Sequence, residues 1–273
     1  MSDDLLTARS RRVREAARLA TRKVRQQQRR FLAEGPHAVE AALAEPANVI
    51  EVFATADADR PLREQAASAG VRWTEVAGDV VAAVADTVTP QGVVAVCRFL
   101  DASLDRVVTA DARLVVVGVD VRDPGNAGAL LRCADGAGAD GVVLSGDSVD
   151  PYNPKVVRAS AGSLFHLPVA VHPELPSLVA AARTAGLQVL AADGSAPTDL
   201  DHADRRGLLG RPTAWLFDNE AHGLPPAVRE LADKTVAVPL YGRAESLNLA
   251  TAAAVCLYAS ARAQRLAERG PDE

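Results

Sequence analysis

The chain has few cysteines and no long apolar run. Its three cysteines, Cys97, Cys133 and Cys256, are scattered and odd in number, and none has the spacing of a zinc ligand pair. A disulfide scaffold is therefore excluded, and we expect reduced thiols, a cytoplasmic protein and no metal. No apolar run approaches the roughly 18 residues that a membrane span needs. Charge rather than an apolar segment follows the first residues, so we expect no secretory signal.

The chain does have enough length for two domains and an uneven charge. At 273 residues it suits two domains of about 100 to 200 residues each. We place them at residues 1–105 and 106–273, with the linker between about Asp101 and Asp111. Residues 1–30 have a net charge of +7, and the remainder has −12. A basic segment on an acidic body predicts either a nucleic-acid contact or a solvated basic helix.

Short β-branched runs alternate with helical patterns along both predicted domains, which indicates an α/β fold. In the second domain, the run Leu114–Val119 precedes Asp123-Pro124-Gly125-Asn126-Ala127-Gly128 and then a helical pattern. This turn falls at the carboxyl end of a predicted parallel strand, where such sheets bind ligands. Asn126 is also a good helix N-cap, which is a purely structural explanation. Arg132 lies about one and a half to two turns further on and is expected to reach back towards Asn126.

Another predicted strand, Thr213–Phe217, ends just before Asn219-Glu220-Ala221-His222-Gly223-Leu224. Prolines that follow suit the first turn of the next helix. This arrangement delivers the carboxylate of Glu220 to the same end of the sheet.

A third predicted strand, Val236–Leu240, leads to Ser246-Leu247-Asn248 and an apolar helix from about Leu247 to Tyr258. Ser246 is either the N-cap of that helix or, with Asn248, part of a site.

Two other patterns favour different chemistry only superficially. Gly136–Gly141 matches G-x-G-x-x-G, but it follows a helix and precedes a strand, whereas a dinucleotide-binding fingerprint needs the reverse order. These glycines are therefore predicted to end a helix. A serine hydrolase built on Ser246 would lack the G-x-S-x-G elbow.

Taken together, the three stretches resemble the motifs of the SpoU (TrmH-like) RNA ribose 2′-O-methyltransferases of the knotted SPOUT superfamily. That pattern runs D-P-x-N-x-G-x-x-x-R, then G-N-E-x-x-G, then S-L-N, and Lys155–Ser163 is similar to a further K-x-x-R-A-S-x-G segment. The resemblance covers residues 112–265. Asp218 departs from it, because the family has glycine there. Phe31-Leu32-Ala33-Glu34-Gly35 is similar to the start of an RNA-binding extension related to a ribosomal-protein domain.

The resemblance implies an α/β protein with a C-terminal, trefoil-knotted parallel-sheet methyltransferase domain and a smaller N-terminal α/β RNA-binding domain. It implies S-adenosylmethionine as cofactor, an RNA substrate and a homodimer, without a metal. The implied catalytic residues are Arg132, Asn126, Glu220, Ser246 and Asn248. The implied cofactor contacts are Leu216, Phe217, Asn219, Glu220, Gly223, Val238, Pro239, Leu240, Ser246, Leu247 and Asn248. With the basic N-terminal segment, the expected RNA contacts are Arg158, Arg22, Lys23, Arg25, Arg29 and Arg30.

Members of the family with this N-terminal extension mostly resemble enzymes of large-subunit ribosomal RNA, including those of thiostrepton-type resistance, so 23S rRNA is the expected target. A tRNA 2′-O-methyltransferase and a catalytically silent RNA-binding protein of the same fold are the alternatives. Asp218 favours the silent protein, and the retained site residues oppose it. Because a guanidinium rarely gives up its proton, we assign Arg132 to stabilising the developing alkoxide rather than to acting as a base.

Overall fold

The computed structural model describes residues 6–218 and 224–269, which form two compact units. Within these ranges, one unit consists of residues 6–100 and 150–166, and the other of residues 101–149 and 167–269. No helix in the described ranges is long and apolar enough to cross a membrane.

The elements alternate along the chain as an α/β protein requires. The helices are α1 (Arg11–Ala17), α2 (Arg22–Gln28), α3 (Pro36–Ala44), α4 (Arg60–Ser68), α5 (Gly78–Val84), α6 (Leu104–Val107), α7 (Pro124–Ala137), α8 (Pro154–Ser160), α9 (Ser163–His166), α10 (Leu175–Thr184), α11 (Leu200–Arg205), α12 (Pro226–Leu231) and α13 (Leu249–Arg269). The strands are β1 (Arg30–Glu34), β2 (Val49–Ala54), β3 (Trp73–Glu75), β4 (Val93–Arg98), β5 (Leu114–Val119), β6 (Gly141–Ser145), β7 (Val169–His172), β8 (Gln188–Ala192), β9 (Thr213–Asp218) and β10 (Lys234–Val236).

The first unit is built on a four-stranded sheet in the order β1-β4-β2-β3. β4 pairs antiparallel with both β1 and β2, and β3 pairs parallel with β2. Valines of α5 pack with Val13, Leu19 and Phe53 in one apolar core. The small α/β layer expected from the alternating pattern is therefore present.

Residues 150–166 belong to this first unit because buried contacts join them to its N-terminal part. The side chains of Arg25 and Asp150 are each 2 % exposed and form an ion pair, with Nη2 to Oδ2 at 2.8 Å. The Tyr152 ring stacks on Phe99 at 3.9 Å and lies 4.8 Å from Phe31, measured between ring centroids. This grouping differs from the predicted division at residue 105, since nothing in the local sequence pattern shows that the segment packs against residues far upstream.

The second unit contains six parallel strands in the order β10-β8-β9-β5-β6-β7. The central strands β5 and β9 are covered on both faces, which explains why they are almost entirely apolar. Helix α13 lies along the sheet, where Trp215 Nε1 donates a hydrogen bond to Ser260 Oγ at 2.9 Å. Further along, Gln264 Nε2 donates to two carbonyls at the amino ends of strands, those of Arg113 and Arg211.

Several boundaries differ from the sequence expectation near the ends of elements. Of the glycines predicted to end α7, Gly138 does so and caps it with φ +73°, whereas Gly136 lies inside the helix and Gly141 begins β6. β10 begins and ends earlier than the predicted strand Val236–Leu240. Helix α13 begins two residues later than predicted and runs eleven residues further. Strand order does not define how a chain is threaded, so the implied trefoil knot stays a prediction.

We predict that Asp150→Ala destabilises the first unit by about 3 to 5 kcal/mol, because it leaves the Arg25 guanidinium buried without a counter-charge. The measurement is urea unfolding followed by circular dichroism. Glu64→Ala is the matched control, since it breaks the exposed Arg60–Glu64 pair and is expected to cost less than about 1 kcal/mol. Equal costs for the two variants would contradict the structural role of the buried pair.

Candidate active site

A cavity of 540 Å³ opens at the edge of the second sheet where β8, β9 and β10 end. Because these strands are parallel and adjacent, the loops that leave them meet there. The described lining residues are Ala192, Asp193, Gly194, Ser195, Phe217, Asp218, Leu224, Arg229, Val236, Val238, Leu240, Glu245, Ser246, Leu247, Leu249 and Ala252.

The walls of this cavity are mainly apolar, with charged groups restricted to a few positions. Its size lies in the range of pockets that hold small molecules and cofactors. An apolar chamber with a few polar side chains fits a nucleoside with a charged tail, which is the chemical character of S-adenosylmethionine. Within the described ranges no group of three or more histidine, cysteine or acidic side chains is arranged to hold a metal ion.

Five of the residues expected at the cofactor line the cavity: Phe217, Val238, Leu240, Ser246 and Leu247. Leu216 is fully buried within β9, in the apolar core of the second unit. Among the described residues, Pro239 and Asn248 are not part of the wall. Three more expected residues, Asn219, Glu220 and Gly223, lie outside the described ranges.

A side-chain hydrogen bond joins the first and third motifs, which are far apart in the sequence. Asn248 Nδ2 donates to Asn126 Oδ1 at 2.9 Å. The amide oxygen of Asn248 accepts from the backbone N–H of Ala250 at 3.0 Å, so the amide is held in one orientation. Asn126 in turn uses its oxygen for this bond, which leaves its own NH₂ group facing away from that partner as a donor.

Helix capping near this bond differs from the sequence expectation. Asp123, rather than Asn126, is the N-cap of α7, since its Oδ1 accepts from the Asn126 N–H at 2.8 Å. At α13 the cap contact is made by Asn248 and not by Ser246. Both asparagine and serine positions suit caps by type, so composition could not separate them. Ser246, relieved of that role, lines the cavity.

Arg132 is exposed on α7 and is not joined to Asn126 by any contact in the described part of the chain. Arg132 is six positions after Asn126, so their side chains point about 120° apart around the helix rather than along one face. The neighbouring Cys133 lies against α13, with Sγ 3.5 Å from the Ala250 carbonyl oxygen. Burial raises the pKa of the Cys133 thiol, and the charge of Arg132 opposes that rise.

The expected RNA contacts in the first unit fall into two groups. Arg22, Lys23, Arg29 and Arg30 are exposed. Arg25 is a correction, because its guanidinium is buried against Asp150 and has no surface to offer a phosphate.

Arg158 is engaged by carboxylates rather than free for a phosphate. Its Nη1 donates to Glu34 Oε2 at 2.9 Å, and its Nη2 lies 3.9 Å from Asp86 Oδ2. The pKa of Glu34 lies above its ordinary value because burial raises it more than the hydrogen bond from the Asp86 N–H and the Arg158 charge lower it. The structure thus uses Arg158 to compensate a buried carboxylate.

Sequence reasoning missed one polar cluster in the cavity, formed by Asp193, Ser195 and Arg229. The available signal was the apolar run of β8, which is followed directly by Asp193-Gly194-Ser195 as a turn at a strand end. That run was not recognised as a strand, so the polar residues after it were not assigned to the sheet edge.

Comparison with known proteins gives matches over both predicted domains. Residues 113–258 match the model of the SpoU rRNA methylase family, and residues 10–95 match an MRM3-like substrate binding domain. A 23S rRNA (guanosine(2553)-2′-O)-methyltransferase of Bacillus subtilis, RlmP, is 35 % identical over 92 % of this chain and 96 % of its own length. A 23S rRNA (guanosine-2′-O-)-methyltransferase of Bordetella pertussis, RlmB, is 33 % identical over 84 % of this chain and 95 % of its own.

Solved structures agree with these matches across nearly the whole chain. The SpoU methyltransferase AviRb from Streptomyces viridochromogenes, in complex with the cofactor AdoMet, is similar with a TM-score of 0.82 and 32 % identity. The similarity covers 94 % of this chain and 100 % of AviRb. An AdoMet-bound rRNA methyltransferase from Sinorhizobium meliloti gives a TM-score of 0.81 and 29 % identity, over 94 % of this chain and 97 % of that one.

Proposed function

This chain belongs to the SpoU rRNA methylase family, and we propose that it transfers a methyl group from S-adenosylmethionine to a ribose 2′-hydroxyl of 23S ribosomal RNA. The observation that carries this proposal is the apolar cavity at the sheet edge, with Asn126 and Asn248 joined beside it. The relatives RlmP and RlmB are 23S rRNA 2′-O-methyltransferases, and the similar structures of AviRb and the Sinorhizobium enzyme contain bound AdoMet, which supports this proposal. We also place the protein in the cytoplasm, where its free cysteines stay reduced.

S-adenosylmethionine supplies an electrophilic methyl group on a positively charged sulfur. Phe217, Leu240 and Leu247 form an apolar part of the cavity wall, and apolar surroundings favour a reaction in which opposite charges cancel. The exposed residues Glu245 and Ser246 bring polar groups to the cavity wall.

The ribose hydroxyl is a weak nucleophile and must be held in line with the donor methyl. We assign its orientation to the free NH₂ group of Asn126, which Asn248 holds in place. Stabilisation of the developing alkoxide is assigned to Arg132, whose guanidinium has no hydrogen-bond or ion-pair partner among the described residues. Its proton stays on the guanidinium, so the hydroxyl proton leaves to another acceptor.

The test of this function is transfer of labelled methyl from S-adenosylmethionine to 23S rRNA and to tRNA, followed by mapping of alkali-resistant ribose positions. We expect label at one 23S ribose and a loss of about 100-fold or more in Arg132→Ala, because one charge-stabilising donor is removed. Asn248→Asp keeps the acceptor for the Ala250 N–H but removes the donor to Asn126, and it should also slow transfer. Arg183→Ala, which breaks the exposed pair with Asp233, is the control.

Each outcome of that assay separates the possible functions. Label in tRNA alone would replace the ribosomal target by the tRNA alternative. Cofactor binding without transfer to any RNA, including ribosomal assembly intermediates, would favour the silent RNA-binding protein. Full activity in Arg132→Ala would contradict the role assigned to that residue.

For RNA binding by the first unit we propose the exposed hollow formed by Gln28, Arg29, Arg30, Arg98 and Phe99. The Arg29 guanidinium lies 4.7 Å from the centroid of the Phe99 ring, which limits how far it can move. Three arginines at one hollow provide charge for adjacent phosphates, and an arginine plane is also a surface on which bases stack. Arg98 is therefore added to the predicted RNA contacts Arg29 and Arg30.

We predict that Arg30→Ala and Arg98→Ala each weaken binding to 23S rRNA fragments and lower the slope of log K against log salt by about 0.7 to 0.9, as loss of one phosphate contact requires. The measurement is a salt titration of binding with the full chain. Arg60→Ala removes another exposed arginine, from α4, and should leave the slope unchanged. The hollow would lose its assignment if all three variants changed the slope alike.

We further propose that the protein is a homodimer that uses the outer face of α13. Val255, Tyr258 and Leu266 lie on one side of that helix and are 40, 55 and 60 % exposed, a stripe that a monomer would leave in water. Light scattering should give twice the chain mass of 28.5 kDa, and Tyr258→Glu should shift it towards one chain. A single-chain mass for the unchanged protein at working concentration would refute this.

A further inference from the structure

The polar cluster at one end of the cavity is organised around a buried carboxylate. Asp193 follows β8 directly, and its side chain is 3 % exposed. Its Oδ1 accepts from both the backbone N–H and the hydroxyl of Ser195, at 2.9 and 2.8 Å. Its Oδ2 lies 2.7 Å from Nε of Arg229. Both oxygens of this carboxylate are therefore occupied by groups of the protein itself.

Arg229 differs from Asp193, because its guanidinium is held by an ion pair but still faces the cavity. Its side chain is 42 % exposed and lines the cavity. Its closest approach to Asp193 is through Nε, and among the described residues no carboxylate other than Asp193 forms an ion pair with this guanidinium. A guanidinium held at Nε presents its terminal NH₂ groups as a planar fork, which is the geometry that binds a carboxylate through two hydrogen bonds.

Charge distribution around the cavity selects which part of a cofactor such a fork would take. Arg229 is the only cation among the described lining residues, which also include the acidic Asp218 and Glu245. S-adenosylmethionine carries two positive groups, its sulfonium and its ammonium, and a single negative group, its carboxylate. The carboxylate is thus the only part that a cation attracts.

From these contacts we propose that Arg229, oriented by Asp193, binds the carboxylate of the amino-acid part of S-adenosylmethionine, and that Asp193 is a positioning residue. The inference rests on the proposed function, since it presupposes this cofactor in this cavity. It assigns the Asp193 end of the cavity to the methionine tail. The adenosine part is left to the apolar walls.

The test compares, by calorimetry with the full chain, the affinities of ligands that keep or lack the carboxylate. S-adenosylhomocysteine retains the carboxylate, decarboxylated S-adenosylmethionine lacks only that group, and 5′-methylthioadenosine lacks the whole amino-acid part. We expect Arg229→Gln to bind S-adenosylmethionine and S-adenosylhomocysteine at least about tenfold more weakly, as loss of a charge-assisted pair requires. Its affinity for the other two ligands should change less than about twofold.

Two further variants guard against a merely structural effect. Asp193→Asn keeps the shape and one acceptor but removes the charge that holds Arg229, so it should cause a smaller loss with the same ligand selectivity. Arg183→Gln alters an exposed arginine–aspartate pair outside the cavity wall and should change no affinity. Equal losses for all four ligands in Arg229→Gln, or no loss for any, would overturn the inference. If the unchanged protein fails to bind S-adenosylmethionine, the proposed function itself is at fault.

Discussion

Parallel pairing of β8, β9 and β10 is the constraint on which the candidate site depends. Leu190 is paired both with Lys234 of β10 and with Trp215 of β9, so the three strands end at the same edge. The loops that follow them are far apart in the sequence, yet all of them start at this edge of the sheet. β8 and β9 are mainly apolar and buried, while β10 is buried only at Val236; all three contribute position rather than chemistry. Asp193 and Ser195 lie one and three residues beyond the end of β8, whereas Asn126 and Arg229 lie on helices α7 and α12 and Asn248 directly precedes α13.

Orientation at this edge is achieved by one repeated device. Asp123, Asn248 and Asp193 each use a side-chain oxygen to accept a backbone N–H two or three residues further along. These bonds cap helices or close turns, which is why aspartate and asparagine suit the positions. For Asn248 and Asp193 the remaining atom of the same side chain then faces a fixed partner, Asn126 or Arg229. A side chain that caps a helix or closes a turn thereby also holds a residue that is distant in the sequence.

Much of this arrangement can be predicted from the sequence, and the parts that cannot have physical reasons. β5 and β9 were predictable because a fully buried strand must be apolar over its whole length. β8 has the same character, but a short apolar run does not by itself distinguish a strand from a buried helical segment. The sequence left Ser246 open between a cap of α13 and a site residue because serine and asparagine cap equally well, and only the Ala250 contact shows that Asn248 makes the cap. The place of residues 150–166 depends on a contact between Arg25 and Asp150, which no periodicity encodes.

The basic N-terminal run shows how burial divides residues that composition treats alike. Arg25 and Arg29 are four residues apart, yet one is sealed against Asp150 and the other lies exposed over Phe99. Burial of a charge is tolerated only with a partner, so Arg25 contributes to the fold of the first unit and cannot also serve RNA.

The two arginines proposed to act at the site differ in how far their side chains are restrained. Arg229 is held in advance by Asp193, which suits a ligand that binds in one orientation before chemistry begins. Arg132 is exposed and has no partner among the described residues, so its guanidinium retains the freedom that a stabilising group must lose before it acts. Electrostatic stabilisation is effective when donors are already fixed as charge develops. The Arg132 side chain must therefore be restrained by a group from outside the described residues. The RNA, with its phosphates, or a second subunit at the neighbouring face of α13 would supply that restraint. The roles proposed for Arg132 and Arg229 therefore imply that the cofactor binds first and that methyl transfer follows assembly of the substrate complex.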